Sequence, residues 1–294
     1  MNLAQALQQS AYILVMNGIE DSYIEARILL GHATNLSSVQ IYTEPEQTLS
    51  REEENKLEKL VGRRLQHEPT AYILKHREFY GIDFYVDSRV LIPRPETEVL
   101  VDAAVEFARS RSNHLTRPLL VADIGTGCGA IAISLALNLP GSKVYATDLS
   151  SSALEVARLN CVHHKVAEQV TLLPGDLLQP LPEPVDLVVA NLPYIRNSEL
   201  PNLSPEIAKF EPRMAIDGGR SGLDCIRQLL EQVKERVNFG GCLLLEMGQN
   251  QEEDMGQLVH THLKEVNFRF IADFNGINRV VKICLLYTSP SPRD

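Results

Sequence analysis

The chain has 294 residues, of which 44% are hydrophobic and 22% are charged. These proportions are typical of globular proteins and exclude a chain that is disordered throughout. The 28 basic residues against 38 acidic ones give a net charge of −10, so a polyanion is repelled unless a local basic patch intervenes. At this length we expect one large domain and one smaller domain.

The sequence contains neither an apolar stretch long enough to span a membrane nor the pattern of a signal peptide, which predicts a cytoplasmic protein without membrane contact. The five cysteines are scattered singly, without the paired spacing of a zinc site or a redox couple. The close histidine pairs, His163–His164 and His260 with His262, have no Cys or acidic residue at ligand spacing. We therefore expect reduced thiols and no metal site.

The first part of the chain, residues 1–75, has apolar residues at the three- and four-residue spacing of helices. Ser50 and Glu53 form a capping box ahead of one such helix. We predict a small helical bundle here. Since it has no glycine-rich loop and no paired catalytic groups, we interpret it as a docking or stabilising module, and substrate recognition is the hypothesis for its role. Residues 76–95 are more β-like around Gly81 and are predicted to link this bundle to the next domain.

The region 96–283 alternates strand-like and helical runs, which predicts an α/β domain built on a mostly parallel sheet. Two late strand-like runs predict an antiparallel edge, giving a mixed sheet of seven strands. Ligands of such sheets bind at the carboxyl ends of the strands. The predicted strands are Leu119–Asp123, Lys143–Asp148, Val170–Leu173, Val185–Asn191, Cys242–Met247, Phe268–Asp273 and Asn278–Ile283.

A glycine-rich segment, Asp123-Ile-Gly-Thr-Gly-Cys-Gly129, follows the first of these strands and precedes an Ala-rich helix. Its glycines permit a tight turn and a close approach of a ligand to the backbone, and the helix start offers free N–H groups. The second strand ends in Asp148, at the spacing where a carboxylate can accept hydrogen bonds from a ribose. These features leave open a dehydrogenase or an S-adenosylmethionine enzyme.

Two further features favour S-adenosylmethionine as the cofactor. The carboxylate of Asp123 suits a cationic amino acid moiety, whereas it repels a pyrophosphate. The fourth strand ends in Asn191-Leu192-Pro193-Tyr194, which we expect to face the same crevice as the glycine-rich segment. A dehydrogenase has no need of this motif.

Together the two motifs resemble the class I methyltransferases that alkylate planar amino or amide nitrogens, whose usual motif is Asn-Pro-Pro-Tyr. The resemblance implies that the Asn191 side chain and the Leu192 carbonyl accept the N–H hydrogens of the acceptor. It also implies that Tyr194, following Pro193, packs on the planar group, and it makes Asn191 and Tyr194 the catalytic residues. Leu192 replaces the usual first proline but still offers its carbonyl, so we expect activity to survive.

A narrower resemblance extends over most of the chain and is to the peptide chain release factor N5-glutamine methyltransferases. It implies a Rossmann-like class I methyltransferase domain preceded by a helical bundle. It also implies methyl transfer from S-adenosylmethionine to the glutamine side chain of the Gly-Gly-Gln motif in class 1 release factors, a step linked to translation termination. The segments that carry it are Glu68–Leu74, Arg77–Phe79, Leu91–Glu98, Phe210–Pro212 and Gly241–Glu246.

The same resemblance assigns residues by position. Asp148 binds the ribose, Asp176 accepts from the adenine amino group, and Leu177 stands where some members have an aromatic residue against adenine. Arg94 either closes over the acceptor or belongs to a charged turn that opens a helix. The full set implied for the cofactor is Asp123, Gly125, Thr126, Gly127, Cys128, Gly129, Asp148, Asp176, Leu177 and Asn191.

Two alternative functions are weighed against this one. An adenine-N6 or guanine-N2 methyltransferase of DNA or rRNA predicts a basic groove, which the acidic composition does not indicate. A non-catalytic S-adenosylmethionine-binding regulator predicts binding without turnover, which the intact Asn191 and Tyr194 oppose. We expect a protein substrate and no direct nucleic acid partner.

The last residues, 284–294, differ in character from the strand-like run before them. They resemble a reading-frame translation of a transposase sequencing adapter, and we predict that they are not native. The alternative is an ordinary flexible tail rich in Pro and Ser. In either case we assign them no function and exclude them from the predicted fold.

Overall fold

The computed structural model describes residues 1–112, 115–264 and 266–285. The chain divides into two compact units. The first, the helical unit, comprises Met1–His76 and a later segment, Ser204–Phe210; the second, the sheet unit, comprises Arg77–Leu203 and the chain from Glu211 onward. None of the helices in the described ranges combines the length and apolar character of a membrane-spanning segment.

The helical unit begins with five helices, whose apolar faces form one buried core that includes Leu7, Leu30 and Leu60. The predicted capping box is confirmed, because the Ser50 hydroxyl accepts from the Glu53 N–H and the Glu53 carboxylate accepts from the Ser50 N–H. The helices are α1 (Leu3–Met16), α2 (Ser22–Thr34), α3 (Ser38–Thr43), α4 (Arg51–Leu65) and α5 (Thr70–Leu74).

The segment Ser204–Phe210 belongs to the helical unit although it follows the fourth strand of the main sheet. It contains the helix Pro205–Phe210, and Glu206 of that helix accepts a hydrogen bond from the buried Arg64 at 3.0 Å. Arg64 also pairs with Glu25. The segment lies within the region 96–283 that was predicted as the α/β domain, and its contacts, among them the Arg64–Glu206 ion pair, place it in the helical unit.

The sheet unit is built on seven strands, and the predicted mixed, mostly parallel sheet is confirmed. A separate hairpin of β1 (Arg77–Phe79) and β2 (Ile82–Phe84) precedes it. The spatial order is β5-β4-β3-β6-β7-β9-β8, and β9 is antiparallel to both of its neighbours. The strands are β3 (Leu120–Ile124), β4 (Lys143–Asp148), β5 (Val170–Pro174), β6 (Val185–Ala190), β7 (Val237–Glu246), β8 (Val266–Ala272) and β9 (Asn278–Leu285).

The central strands β3 and β6 are buried at every residue, as expected for parallel strands covered on both faces. Apart from the buried Asp123 and Asp186, their residues are apolar on both faces rather than in an alternating pattern, which reflects this burial. The helices between and after the strands are α6 (Glu98–Ser112), α7 (Ala130–Asn138), α8 (Ser151–His163), α9 (Pro205–Phe210), α10 (Asp224–Arg236) and α11 (Glu252–His262).

Strand β9 extends two residues beyond the predicted end of the domain at Ile283. Cys284 pairs with Cys242 of β7, and Leu285 pairs with Val266 of β8 and is 1% exposed. These two residues therefore belong to the sheet, which corrects their exclusion from the fold. The remainder of the segment, 286–294, lies outside the described residues, and its proposed origin stays a prediction.

Candidate functional site

The register of the sheet brings the predicted site segments to one edge. Ile124 at the end of β3 pairs with Thr147 of β4 on one side and with Ala190 of β6 on the other. All three strands are parallel, so the segments that follow them emerge together. The glycine-rich segment, Asp148 and Asn191 consequently meet at the carboxyl ends of adjacent strands.

A cavity of about 390 Å³ lies at this edge, within the sheet unit. This volume falls within the range of small-molecule and cofactor sites. The predicted site residues that line it are Gly125, Gly127, Asp148, Asp176, Leu177, Asn191, Leu192 and Pro193. The predicted residues that do not line it are Asp123, Thr126, Cys128, Gly129, Tyr194 and Arg94.

The glycine-rich segment needs glycine for its backbone shape. Gly125, Gly127 and Gly129 have φ values of +72°, +55° and +85°, a region that L residues adopt at a cost. A Cβ on Gly125 would also lie 3.1 Å from Leu192 Cδ2. The missing side chains thus leave the backbone open to the cavity and allow the Asn191-Leu192 loop to approach it.

Asp123 supports the glycine-rich segment from inside. It is fully buried, and its Oδ2 accepts hydrogen bonds from Thr126 Oγ1 at 2.7 Å and from the Ala132 N–H at 3.0 Å. Burial raises the pKa of Asp123 to about 7. These bonds join the loop to the start of α7, so the contacts of Asp123 and Thr126 explain the shape of the loop.

Asp148 presents its carboxylate to the cavity. Its Oδ2 accepts from the Gly127 N–H and its Oδ1 from the Ser150 N–H, each at 2.9 Å. Burial raises the pKa of Asp148, and the two N–H donors oppose that rise. Each carboxylate oxygen has further lone pairs, so the group can still accept from ligand hydroxyls.

The end of β5 forms another wall of the cavity. Asp176 lines it, with Oδ2 accepting from Gln179 Nε2 at 3.3 Å. Leu177 also lines it and has a φ of +49°, which is strained for a branched residue. Its carbonyl accepts from Thr147 Oγ1 at 2.9 Å, and this bond holds the turn against β4.

The residues of the Asn191–Tyr194 motif have different environments. Asn191 lines the cavity, and its Nδ2 donates to Thr97 Oγ1 at 3.1 Å. Tyr194 does not line the cavity; its hydroxyl donates to Glu246 Oε1 at 3.3 Å. Burial, together with the charge of Glu246, raises the pKa of Tyr194. The two residues predicted to be catalytic are thus each anchored by a buried neighbour.

A second glycine cluster packs directly behind this motif. A Cβ on Gly218 would lie 2.8 Å from both Pro193 O and Tyr194 Cα, and one on Gly222 would lie 2.6 Å from Tyr194 O. The Gly218 N–H donates to Ile195 O at 2.8 Å. Sequence analysis missed this cluster, and the Gly-Gly-x-x-Gly spacing was the available signal.

Arg94 forms an ion pair with Glu211, which is buried. Burial raises the pKa of Glu211, whereas the guanidinium of Arg94 opposes the rise. Pro95–Thr97 forms a short 3-10 helix just before α6. Arg94 therefore joins Leu91–Glu98 to Phe210–Pro212, two of the segments that carry the family resemblance. The contact of Arg94 with an acceptor stays a prediction.

Part of the cavity wall comes from segments for which no binding role was predicted. Ser88, Arg89, Val90 and Leu91 lie in the range predicted as a linker, yet they line the cavity, as do Pro212, Met214 and Cys225. Asn160 of α8 donates to Cys128 O at 2.8 Å and to Tyr85 O at 3.0 Å. This side chain ties the backbone just before Ser88 to the glycine-rich loop.

Cys128 is buried, and burial raises the pKa of its thiol to about 12. The thiol is therefore protonated at neutral pH, and a protonated thiol is a poor nucleophile. No group of three His, Cys, Asp or Glu side chains among the described residues is placed to hold a metal ion.

These features fit S-adenosylmethionine. The glycine-rich loop forms a cradle that a Cβ on Gly125 would fill, and the Asp148 carboxylate faces the same space. An acidic side chain at this strand end suits a ribose, and the open backbone suits the amino acid part of the cofactor. Asp176 and Leu177 would then border the adenine.

Family models match both parts of the chain: one for the PrmC N-terminal domain over residues 5–74 and one for the methyltransferase small domain over residues 107–209. The release factor glutamine methyltransferase of Moorella thermoacetica is 39% identical over 95% of this chain and 97% of that relative. The release factor glutamine methyltransferase of Bradyrhizobium diazoefficiens is 38% identical over 90% of this chain and 88% of that relative.

The fold has matches among solved structures as well. A methyltransferase from Pyrococcus furiosus has a TM-score of 0.52 at 18% identity, and the match covers 77% of this chain and 99% of that one. Together with the family model for the methyltransferase small domain, this likeness confirms the predicted class I methyltransferase fold.

Proposed function

Because the chain belongs to the release factor glutamine methyltransferase family, we propose that it methylates the glutamine of the Gly-Gly-Gln motif in class 1 peptide chain release factors. The methyl group goes from S-adenosylmethionine to N5, the side-chain amide nitrogen. The observation that carries the proposal is the position of Asn191, which follows β6 and lines the cofactor cavity beside the glycine-rich loop.

An amide nitrogen is a weak nucleophile, since its lone pair is delocalised into the carbonyl. Catalysis must therefore come largely from holding the nitrogen in line with the methyl group. The cofactor supplies an electrophilic methyl group on a positively charged sulfur. In the proposal, Asn191 Oδ1 and the Leu192 carbonyl accept the two N–H hydrogens of the glutamine, which aims the nitrogen at the cavity.

The reaction needs no strong base in this scheme. The nitrogen forms a bond to the methyl carbon as the carbon–sulfur bond breaks, and the electron pair of that bond stays on sulfur. The nitrogen becomes positively charged and then loses one proton to water or to Asn191 Oδ1. Burial raises the pKa values of Asp123 and Glu246 to about 7, but neither carboxyl lines the cavity, so neither is placed to take the proton from the acceptor.

We propose a protein substrate and no direct nucleic acid partner. The net charge of −10 opposes binding to a polyanion. Recognition of the release factor is assigned to the helical unit, and the cytoplasm is the proposed location because release factors act in translation. The curated relatives are named for a release factor substrate, which supports this choice over DNA or rRNA bases.

The test is methyl transfer from labelled S-adenosylmethionine to a purified class 1 release factor. A Gly-Gly-Ala variant of the factor is the matched control, with DNA and rRNA in parallel. Label on the wild-type factor alone is expected. Label on nucleic acid would replace the proposal with base methylation, and cofactor binding without any label would replace it with a regulatory role.

A further inference from the structure

Thr97 is buried beside the acceptor motif, at the end of the 3-10 helix Pro95–Thr97. It is 4% exposed, and its Oγ1 accepts a hydrogen bond from Asn191 Nδ2 at 3.1 Å. Thr97 does not line the cavity, whereas Asn191 does. An amide carries its NH2 and its oxygen on opposite sides of one carbon, so a nitrogen turned to Thr97 leaves the oxygen turned away from it.

The direction of this amide matters for the proposed reaction, on which the present inference rests. A glutamine amide nitrogen presents N–H donors, so Asn191 must present an acceptor. If the Asn191 amide rotated by half a turn, its NH2 group would face the N–H groups of the acceptor. Within the described part of the chain, no protein donor is hydrogen-bonded to Asn191 Oδ1, which stays available.

The Thr97 hydroxyl has a single hydrogen, and its direction decides which way the Asn191 amide turns. In the contact between the two residues, Thr97 Oγ1 is the acceptor, so the hydrogen of the hydroxyl is directed away from Asn191. Thr97 then offers Asn191 a lone pair, which only the amide nitrogen can use. A hydrogen directed at Asn191 would instead select the oxygen.

Glu246 serves as an acceptor whether or not it is ionised. Burial raises its pKa to about 7, while Thr97, Tyr194 and Arg279 oppose the rise and Glu96 adds to it. A protonated carboxyl keeps an oxygen that accepts, and Oε2 has no hydrogen-bond partner among the described residues. Glu246 accepts from the Tyr194 hydroxyl at 3.3 Å.

We propose that Thr97 is a positioning residue that fixes the orientation of the Asn191 amide. The buried Thr97 hydroxyl holds Asn191, and the buried Glu246 carboxyl holds Tyr194 at the other end of the acceptor motif. The 3-10 helix and β7, which lie far apart in the sequence, thus anchor one motif after β6.

The decisive comparison is Thr97→Val with Thr97→Ser. Valine keeps the shape and removes the acceptor, whereas serine keeps the hydroxyl. One neutral hydrogen bond contributes about 0.5–1.5 kcal/mol, so we expect Thr97→Val to lower kcat on the release factor by about 3- to 10-fold. Cofactor affinity is expected to stay within about twofold, and serine is expected to restore kcat to within about twofold of the wild type.

Thr261→Val is the matched control, because its hydroxyl donates to Gln257 O on α11, away from the cavity. It is expected to leave kcat unchanged. The proposal is overturned if Thr97→Val has wild-type kcat, if serine does not rescue it, or if the loss appears in cofactor affinity instead of kcat. Failure of the wild-type protein to label the release factor would overturn the proposed function itself, and this result is seen before any variant is compared.

Discussion

The carboxylate of Asp148 accepts a hydrogen bond from the Gly127 N–H at 2.9 Å, across the ends of two adjacent strands. The acidic residue that ends β4 thereby holds the glycine-rich loop that follows β3. Its other oxygen accepts from the Ser150 N–H at the start of α8. One side chain thus fixes the loop and presents acceptors to the cavity, which makes it the first residue to test for cofactor binding.

Asp148→Asn is expected to weaken S-adenosylmethionine binding by about 10- to 100-fold, since hydrogen bonds to charged groups contribute about 1.5–3 kcal/mol. The NH2 group of the new asparagine would also face the N–H of either Gly127 or Ser150, so two donors would meet. Isothermal titration calorimetry measures the effect. Asp254→Asn, at an exposed carboxylate paired with Arg196, is the control and should bind like the wild type; equal affinity in both variants would contradict the assignment.

Asn191→Ala is expected to abolish methyl transfer while cofactor affinity stays within about twofold. Its amide faces the acceptor in the proposal, and the described contact that it loses is with Thr97. Transfer to the release factor and cofactor binding should be measured on the same preparation. A loss of cofactor affinity as large as that of Asp148→Ala would count against a role of Asn191 in holding the acceptor.

Gly218→Ala is expected to lower activity strongly, because the added Cβ would lie 2.8 Å from Pro193 O and Tyr194 Cα. These are backbone atoms, so the acceptor motif itself must shift, and small displacements of reacting groups are costly. The matched control is Gly62→Ala on α4, where a Cβ meets nothing within 4 Å. That change should stabilise the helix by about 0.5–1 kcal/mol and leave activity intact; similar activity in both variants would refute the packing argument.

The parts of the site that could be predicted are those in which local sequence determines local chemistry. The glycine-rich loop needs residues tolerant of positive φ, and Asp148 and Asn191 end or follow strands with clear apolar patterns, so their meeting at one sheet edge follows from parallel topology. Thr97 and Asn160 could not be found in this way, and the spacing of Gly218 and Gly222 does not identify the motif against which they pack. Their importance comes from contacts between residues far apart in the chain, such as the 3.1 Å bond between Thr97 and Asn191.

The end of the domain near Ile283 is a second case in which local sequence does not reveal contacts between distant residues. The change of composition after it predicts an end to the fold, yet pairing with β7 and β8 carries β9 through Leu285. A chain ending at Ile283 should therefore unfold at a lower temperature than one ending at Leu285. Burial of one leucine contributes about 1.5–3 kcal/mol, and differential scanning calorimetry of the two chains measures the loss; identical melting temperatures would show that Cys284 and Leu285 do not stabilise the sheet.

Glu246 makes the stability of the protein depend on pH in a direction that can be tested. Burial raises its pKa from 4.5 to about 7 in the folded protein, so the folded state binds a proton that the unfolded state releases between these values. The stability contributed by the protonated form is fully present below pH 4.5 and is lost as the pH rises through about 7.

Glu246→Gln removes this titration and keeps an oxygen acceptor for the Tyr194 hydroxyl. The difference in unfolding free energy between the variant and the wild type should therefore shift in favour of the variant from pH 5 to pH 8, by up to about 1.4 kcal/mol per pH unit within the window. Urea unfolding at constant ionic strength measures it. Asp123 is unchanged in both proteins, so the effect of its own raised pKa cancels in the comparison. A difference in unfolding free energy that does not vary with pH would mean that Glu246 is ionised in the folded state throughout this range.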